Sequence, residues 1–349
     1  MSARVSLVLV LYRSSAVVAD AVASFRREAA EAGVEAEVVL VDHSEDPIEA
    51  SLVGRCRPEV FLVRPNRGYA AGVNAGVAAS QGDTVLLGNP DVVLEDGSLV
   101  ALLDALGGAA EIVGPRFVLG DLSLPPADPQ TPGEELLRLV ASRSPVLWRW
   151  ALRREVRRYL AMWRAGAPVP VRWLNGALLA CRRATFDRVG PWEESYFLSF
   201  EETDWLRRAR RLGHTLALAP AARVTHLWAH AADPARCAAH HERSRRRYYR
   251  AHFGWRGRAV LAVPPGAHPP VFPELPSGPT GATGETLWLV SPSPWGTPAA
   301  GVVGGEDALR CALAAVSRRR GESGRYTVLA LEPASARLRT GWRWEPRRG

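Results

Sequence analysis

Apolar runs alternate with amphipathic segments over the first ninety or so residues. β-Prone apolar runs occupy 5–12, 36–42 and 60–63, and a further run begins at Val85 and stops at Asn89-Pro90-Asp91. Helical periodicity is found in 16–32 and in a Gly-rich segment at about 69–80. Strands that alternate with helices favour parallel pairing, with helices covering both faces of the sheet. The pattern therefore predicts an α/β fold.

A longer amphipathic segment, 135–164, predicts a helix broken near Ser144-Pro145. It combines several arginines with an apolar stripe, formed by Trp148, Leu152, Val156, Tyr159, Leu160 and Trp163. Such a helix either lies on an anionic membrane surface or docks on the sheet with a solvated basic face. The docked arrangement is the favoured interpretation.

The remaining chain predicts two further parts. Strands are expected at 171–181 and 214–219, a helix at 201–212, and a basic helix over HHERSRRRYYRAHFGW. Residues 256–284 are rich in Pro and Gly and predict a linker, after which strand, helix and strand patterns follow. The predicted organisation is a main domain over 1–255, a linker over 256–284 and a small α/β unit over 285–349.

Composition limits the class of protein. The 349 residues are 47% hydrophobic and 23% charged, as in ordinary globular proteins. The net charge of +8 comes entirely from arginine, which favours anionic partners, but charge alone does not predict a nucleic-acid binder. The four cysteines show no metal-type spacing and no leader or membrane-spanning pattern is found, so a cytoplasmic protein is expected.

Polar residues stand where the predicted strands end. Tyr12, Asp42 and Asp91 each follow an apolar run, and ligands of such sheets bind beyond the carboxyl ends of the strands. Asp91 is a hard oxygen ligand suited to Mg²⁺ or Mn²⁺, although a Pro-Asp turn explains the same residues. His226 ends a later strand; a lone histidine is more often structural, but its imidazole can join Asp91 on a metal.

Three carboxylates, Glu201, Glu202 and Asp204, open the helix predicted at 201–212. They either stabilise the helix dipole or include a general base whose pKa is raised by desolvation. Aromatic residues precede them, as in sites where ring faces pack on sugar C–H groups. Glu202 and Asp204 point to different sides of the helix, so we expect one of them to face the chemistry.

These motifs occur in the order VSLVLVLY, VVLVDHS, NRGYAAGVNAG, LLGNPDV, LNGALLACRRATFDRVGPWEE, FLSFEETDWLRRARRLGH and ARVTHLW. The set resembles family 2 glycosyltransferases, and is most similar to their rhamnosyltransferase-like branch, over residues 5 to about 255. The resemblance implies a GT-A fold, a Rossmann-like nucleotide-binding mixed sheet flanked by helices, here with the small C-terminal α/β extension. It also implies inverting transfer of a sugar from a nucleotide diphosphate.

The resemblance assigns roles to individual residues. Tyr12 and Asp42 contact the nucleotide base or ribose, and Arg67 and Asn74 lie near the nucleotide pocket. Asn89-Pro90-Asp91 stands where many relatives have Asp-x-Asp, with Asp91 as the ligand of Mg²⁺ or Mn²⁺. His226 matches a histidine that approaches the same metal or the diphosphate.

Glu201-Glu202 stands where the family usually shows Glu-Asp, so Glu202 matches the general base. The longer side chain must retract to keep the geometry, and this departure leaves Asp204 as an alternative base. Tyr12 is followed by Arg13 where the family usually has Asn, and Asn89 removes one negative charge from the donor site.

The expected function is a metal-dependent inverting glycosyltransferase that uses a dTDP- or UDP-sugar, with rhamnose or another deoxyhexose as a candidate sugar. The expected acceptor is a glycan or a polyprenyl-diphosphate-linked glycan at the inner face of the cell membrane, where basic helices that include Arg245, Arg246 and Arg247 suit an anionic head group. Two alternatives remain open: a sugar nucleotidyltransferase, and a catalytically degenerate member that binds glycan or scaffolds an assembly.

Overall fold

A computed structural model describes residues 3–108, 110–227, 234–264, 266, 269–282, 284–318 and 324–346. Parts of the predicted linker and of the predicted C-terminal unit, at 265, 267–268, 283, 319–323 and 347–349, lie outside the described residues.

Strands and helices follow the predicted alternation along the chain. The strands are β1 (Arg4–Leu11), β2 (Glu35–Asp42), β3 (Val60–Val63), β4 (Thr84–Gly88), β5 (Val92–Leu94), β6 (Ile112–Leu119), β7 (Leu122–Ser123), β8 (Val169–Pro170), β9 (Leu178–Arg182), β10 (Leu216–His226), β11 (Thr286–Ser291), β12 (Ala300–Gly304), β13 (Tyr326–Leu331) and β14 (Leu338–Trp344). The helices are α1 (Val18–Glu31), α2 (Pro47–Gly54), α3 (Tyr69–Ala79), α4 (Ser98–Gly107), α5 (Pro132–Ala141), α6 (Pro145–Trp163), α7 (Arg183–Val189), α8 (Glu201–Arg211), α9 (Pro234–Leu261) and α10 (Glu306–Ser317).

Two of the predicted strands differ from those observed. The strand expected over 171–181 begins only at Leu178, because the preceding Asn175-Gly176 forms a turn closed by the Asn175 side chain on the Ala177 amide. The strand expected to end at 219 continues through Pro220 to His226 as β10. Pro220 lies between the stretch of β10 that pairs with β8 and the stretch that pairs with β5.

By packing, the chain divides into two compact units. The first comprises 1–116, 127–129 and 165–252, and the second comprises 117–126, 130–164 and 253–349. These two units are defined by packing alone. The predicted organisation into a main domain over 1–255, a linker over 256–284 and a small unit over 285–349 stays a prediction.

The first unit is built on a mixed sheet. β4, β1, β2 and β3 pair in parallel in that order, as the alternating pattern predicts, and β9 pairs antiparallel with β4. Buried apolar residues of β1, β2 and β4 and of the helices form its core, which includes Val8, Val41, Leu87, Trp192 and Trp205. The sheet and its flanking helices therefore place the carboxyl ends of β1, β2 and β4 along one edge.

The second unit is an antiparallel sheet with its own core. β12, β11, β13 and β14 pair in that order, and β7 pairs with β12. The stripe on α6 packs into this core, where Trp148, Leu152, Val156 and Leu160 meet Leu289 and Leu329. The docked interpretation of the 135–164 segment is thus confirmed, and its break at Ser144-Pro145 separates α5 from α6.

Two further features are the state of the cysteines and the hydropathy of the helices. No disulfide joins the four cysteines in the described part of the chain, which are Cys56, Cys181, Cys237 and Cys311. Within the described ranges, the search for a helix with the length and apolar character needed to cross a bilayer gives none.

Helix α3 lies unusually close to the sheet of the first unit. A Cβ added at Gly76 would lie 2.3 Å from Val8 Cγ1, and one added at Gly72 would lie 2.5 Å from Val10 Cγ1. Because real side chains do not tolerate such distances, the glycines let the α3 backbone rest on β1. This approach places the start of α3 near the carboxyl edge of the sheet.

Replacing Gly76 by alanine should destabilise the first unit. The added methyl group overlaps Val8, and overpacking of this kind costs about 1–3 kcal/mol, which exceeds the helix propensity that alanine adds. The measurement is the apparent Tm of Gly76→Ala by circular dichroism. Gly107→Ala on α4 is the control, since its Cβ would meet nothing within 4 Å. Equal melting of the two variants would contradict the packing argument.

Candidate functional site

Asp42 ends β2 directly beside the end of β1. Its Oδ1 accepts hydrogen bonds from the backbone amide and the hydroxyl of Ser44, at 3.0 and 2.5 Å. Its Oδ2 is buried and, among the described residues, has no hydrogen-bond partner. A buried acceptor in this state is costly, and a donor group of a ligand would satisfy it. Tyr12 follows β1 and is half-buried.

Asp91 and His226 meet through the pairing of β5 with β10. Pro90 ends the β4 ladder, and His226 is opposite Val92 in the antiparallel register. The Asp91 carbonyl accepts a hydrogen bond from the Leu227 amide at 3.0 Å. Asp91 Oδ1 lies 3.4 Å from His226 Nε2, and both side chains are about 95% buried. The structure thus brings together the two residues predicted as metal ligands.

This pair fits a small divalent cation. Two neighbouring ligands of an octahedral ion lie about 3 Å apart, close to the separation of the Asp91 oxygen and the His226 nitrogen. Within the part of the chain that the structure describes, no group of three His, Cys, Asp or Glu residues is arranged to hold a metal. Asp91 and His226 would therefore be the ligands from the described part of the chain, and such ions commonly complete their shell with substrate phosphates and water.

Tyr69 connects this pair with the acidic helix. It is the first residue of α3, and its hydroxyl is buried with no hydrogen-bond partner among the described residues. Burial raises the pKa of the Tyr69 hydroxyl far above its usual value, and the charges of Glu201, Glu202 and Asp91 raise it further. The charges of Asp91, at the end of β4, and of Glu201 and Glu202, at the start of α8, therefore all act on one buried phenol.

Glu201 and Glu202 begin α8 after a strained stretch of backbone. Ser199 and Phe200 both adopt positive φ angles, of 68° and 73°, which non-glycine residues rarely do. Strain of this kind persists where the surrounding structure holds it, often at functional sites. Burial, and then the charge of Glu202, raise the pKa of Glu201 well above its ordinary value, while burial raises the pKa of Glu202.

Gly176 makes room for the longer side chain at the predicted base position. A Cβ at Gly176 would lie 2.7 Å from Glu202 Cγ and 3.2 Å from Glu202 Cδ. The Glu202 side chain therefore folds back over the bare Gly176 backbone. This contact shows how a glutamate retracts into a position where the family usually has aspartate.

Asp204, the alternative base, is held by other side chains. His252 Nε2 lies 2.6 Å from its Oδ1, and Arg208 Nε donates to its Oδ2 at 2.9 Å. Burial by itself raises the pKa of Asp204, but the hydrogen bonds from His252 and Arg208 outweigh it, and the pKa is lowered. A carboxylate with a hydrogen-bond partner on both oxygens and a lowered pKa is a poor proton acceptor, so the geometry favours Glu202.

The other predicted site residues take different positions. Asn74 uses both ends of its amide on the Trp192 backbone, at 2.8 and 2.9 Å. Arg67 is exposed, and its guanidinium lies 3.5 Å from the Glu194 carboxylate. The backbone N–H of Asn89 donates to the Ala177 carbonyl. Asn74 thus holds the loop before α8, and the nucleotide contacts of these three residues stay predictions.

Most of the aromatic run before α8 belongs to the core. Trp192, Tyr196 and Phe200 are buried, and Phe197 is half-buried and stacks on His240 at 4.4 Å between ring centroids. Of these rings, Phe197 alone has substantial exposed surface for a sugar. Three of these four aromatic residues are therefore core residues, and Phe197 is the one of them with surface available to a ligand.

Some functional positions were missed because their role depends on distant contacts. Tyr69 follows the predicted glycine motif, and Gly176 is part of an Asn-Gly turn signal, so a local sign existed for both. His252 had none, since it meets Asp204 from a separate helix. Arg245 and Arg246 bind Glu242, at 2.8 and 2.6 Å, so both guanidinium groups already have an anionic partner.

Comparison with known sequences gives consistent matches. The sequence model described as Glycosyl transferase family 2 matches residues 6–145. N-acetylglucosaminyl-diphospho-decaprenol L-rhamnosyltransferase of Mycobacterium tuberculosis, from strains CDC 1551 / Oshkosh and ATCC 25618 / H37Rv, is 34% identical over 243 residues. That alignment covers 62% of this chain and 76% of the relative.

Solved structures give weaker similarity. GalNAc-T7 with UDP, GalNAc and Mn²⁺ has a TM-score of 0.47 and 15% identity, with 64% of this chain covered; this chain spans 43% of its length. The mannosyltransferase PcManGT of Pyrobaculum calidifontis, in complex with GDP-Man and Mn²⁺, has a TM-score of 0.45 and 14% identity. This second match covers 76% of the present chain and 66% of the mannosyltransferase.

The Asp204 cluster should stabilise the protein in a pH-dependent way. Because the folded-state pKa of Asp204 is lowered, its contribution is fully present above the unfolded-state pKa of about 3.9 and is lost as pH falls through the folded value. Asp204→Asn should therefore cost about 2 kcal/mol or more at neutral pH, and the deficit should shrink below about pH 4. Urea denaturation from about pH 7 to about pH 3 measures this.

Asp20→Asn, an exposed residue of α1, is the control and should melt like the wild type at every pH. A deficit in Asp204→Asn that stays constant over the whole range would show that its carboxylate charge is not the cause.

Proposed function

The chain belongs to glycosyl transferase family 2, in its rhamnosyltransferase-like branch, and is a glycosyltransferase; from this premise we propose that it is a metal-dependent inverting enzyme. Its mixed α/β sheet flanked by helices is the GT-A fold of that family. The proposed donor is a dTDP- or UDP-activated sugar, with rhamnose or another deoxyhexose as the sugar. The proposed acceptor is a glycan on a polyprenyl diphosphate.

One observation carries the proposal: Asp91 Oδ1 lies 3.4 Å from His226 Nε2 in a buried position, and the charges of Asp91, Glu201 and Glu202 all act on the buried hydroxyl of Tyr69. Asp91 is beside His226, at the end of β4, and Glu201 and Glu202 open α8. Metal ligands and a proton acceptor around one centre are what an in-line displacement on a nucleotide-sugar needs. A protein that only bound glycan would have no use for this set of desolvated acids.

The nucleotide end of the donor would lie against the carboxyl ends of β1 and β2. Asp42 Oδ2, which has no hydrogen-bond partner among the described residues, would accept a hydrogen bond from the base or ribose. Tyr12 would lie beside the same group. Asp91 and His226 would hold Mg²⁺ or Mn²⁺, which when bound neutralises charge on the departing diphosphate.

Glu202 would act at the acceptor. Its carboxylate takes the proton of the attacking hydroxyl as the new bond forms at the anomeric carbon and the bond to the diphosphate breaks. Its raised pKa makes it a stronger base than an exposed glutamate, and Gly176 leaves space for its fold-back conformation. Glu201 is more deeply buried, and burial together with the charge of Glu202 raises its pKa, which favours the neutral form of Glu201 and limits repulsion between the two.

The substrate classes rest on the relatives. The mycobacterial protein is named for rhamnose transfer and for a decaprenyl-diphosphate acceptor, and it is 34% identical to this chain over 243 residues. We extend these classes to the present chain, which would then act at the cytoplasmic face of a membrane that holds such an acceptor. The rival sugar nucleotidyltransferase does not agree with the family.

Metal and nucleotide should bind together through Asp91. A ligand that binds only the folded state raises Tm, so UDP, dTDP and GDP are compared with and without Mn²⁺ in a thermal-shift assay. In the wild type, Mn²⁺ should enlarge the shift caused by the preferred nucleotide. Asp91→Asn should lose the Mn²⁺-dependent part, whereas Asp20→Asn should keep it. If Asp91→Asn responds to Mn²⁺ like the wild type, the metal site has been placed wrongly.

Glu202 should determine the turnover rate of sugar transfer and should not affect binding of the donor. Loss of a general base lowers rates by about 10²–10⁴-fold, so Glu202→Gln should lose that much kcat while its nucleotide-dependent thermal shift stays at the wild-type value. In the wild type, kcat/KM should fall as acid protonates Glu202, at a pH above the usual range for a glutamate. Quenched assays with donor and a short acceptor measure kcat of the variant and the pH dependence of kcat/KM of the wild type.

Asp204→Asn serves as the comparison. If that variant, folded at neutral pH, loses as much kcat as Glu202→Gln with unaltered thermal stability, then Asp204 is the base and the assignment is wrong.

A further inference from the structure

Exposed apolar side chains cluster at one end of the α5–α6 hairpin. Five of the fourteen most exposed large apolar residues in the described part of the chain are in a stretch of fifteen residues, 136–150. They are Leu136, Val140, Val146, Leu147 and Trp150, and Val146 and Trp150 are 75% and 54% exposed. Single exposed apolar residues are normal, but a contiguous group marks an interaction surface.

The hairpin that carries them is firmly built. The opposite side of α6 is packed into the core of the second unit, and Trp148 Nε1 donates to the Trp295 carbonyl at 2.9 Å. The turn at 142–144 is closed by Arg143, whose guanidinium donates to the Leu139 carbonyl, and by the Ser144 cap of α6. The exposed group is therefore a fixed surface of a folded unit.

Positive charge accompanies the apolar tip. Residues 132–164 contain eight arginines and three glutamates. The glutamates already have arginine partners, which are Arg154 for Glu134, Arg138 for Glu135 and Arg158 for Glu155. Arg149 and Arg157 are exposed on α6. The surface thus has an excess of guanidinium groups and complements an anionic partner.

We infer that the turn-proximal end of the α5–α6 hairpin, residues 136–150, docks onto an anionic lipid bilayer. At 1.5 Å per helical residue, Leu136 to Trp150 all lie within about 10 Å of the turn, which matches the depth that interfacial helices reach below the head groups. Arg149 is exposed within this stretch and Arg157 is exposed farther along α6, and both are available to lipid phosphates. Tryptophan and arginine are well suited to that boundary.

A bilayer explains the arrangement better than another protein does. The apolar side chains are grouped around a turn, and exposed arginines lie among them at Arg149 and farther along α6 at Arg157, as on a basic amphipathic surface that lies at an anionic interface. The surface differs from the predicted membrane stripe of α6, which is buried. The inference rests in part on the proposed function, because a polyprenyl-diphosphate acceptor lies in a bilayer.

Vesicle co-sedimentation of the full chain tests it without donor or acceptor. The wild type is compared on vesicles of phosphatidylcholine alone and on vesicles that also contain phosphatidylglycerol, and should prefer the latter. The double variant Val146→Ser/Trp150→Ser should bind anionic vesicles about tenfold or more weakly. Its matched control is Val271→Ser/Trp255→Ser, which removes the same two residue types from positions that are 85% and 72% exposed. The control should bind like the wild type.

A charge variant gives an independent measurement. Arg149→Gln/Arg157→Gln should weaken binding to anionic vesicles, and added salt should do the same to the wild type. Equal binding of the wild type to both kinds of vesicle, or equal loss in the hairpin variant and its control, would overturn the inference. So would a dimer in light scattering that Val146→Ser/Trp150→Ser disperses, because the tip would then bind a second copy.

The two proposals fail separately. Loss of vesicle preference with an intact Mn²⁺-dependent thermal shift would remove only the docking surface. Vesicle binding that persists in a chain with no nucleotide response would leave the surface and remove the proposed chemistry.

Discussion

The site depends on the pairing of a three-residue strand, β5, with the end of β10. Pro90 ends the β4 ladder, so the chain leaves the parallel sheet just before Asp91. The antiparallel register of β5 and β10 then places His226 next to that carboxylate, with the Asp91 carbonyl held by the Leu227 amide. Without this pairing, two residues 135 positions apart would have no reason to share a buried space.

Around that point the protein gathers acidic groups whose burial is unfavourable by itself. A desolvated carboxylate resists ionisation, and neighbouring negative charges increase the resistance. The structure accommodates this in different ways at adjacent positions. Asp204 is hydrogen-bonded to Arg208 and contacts His252, which lowers its pKa, whereas burial raises the pKa values of Glu201, Glu202 and the Tyr69 hydroxyl. The division separates a carboxylate that stabilises α8 from one that can accept a proton.

In the second unit, one face of α6 is buried and part of the α5–α6 hairpin is exposed. Its antiparallel sheet buries the tryptophan-rich side of α6, which leaves the start of that helix and the end of α5 to present apolar residues to solvent. A core can cover one face of a helix, and the other face is then available for a partner. The buried stripe and the exposed apolar residues of α6 are therefore different surfaces of the same helix.

Local pattern by itself determined much of this protein. Apolar runs, glycine spacing and turn residues predicted β1 to β4, α1, α3 and α8, because these signals act over a few neighbouring residues. The ordered motifs predicted the family and the residues Asp91, Glu202 and His226, whose roles stay proposals. Tertiary structure alone decided which of Glu202 and Asp204 contacts His252, that Gly176 receives the glutamate, and that the α6 stripe is buried. Each of these depends on side chains from distant segments, and no local periodicity records which segments will meet.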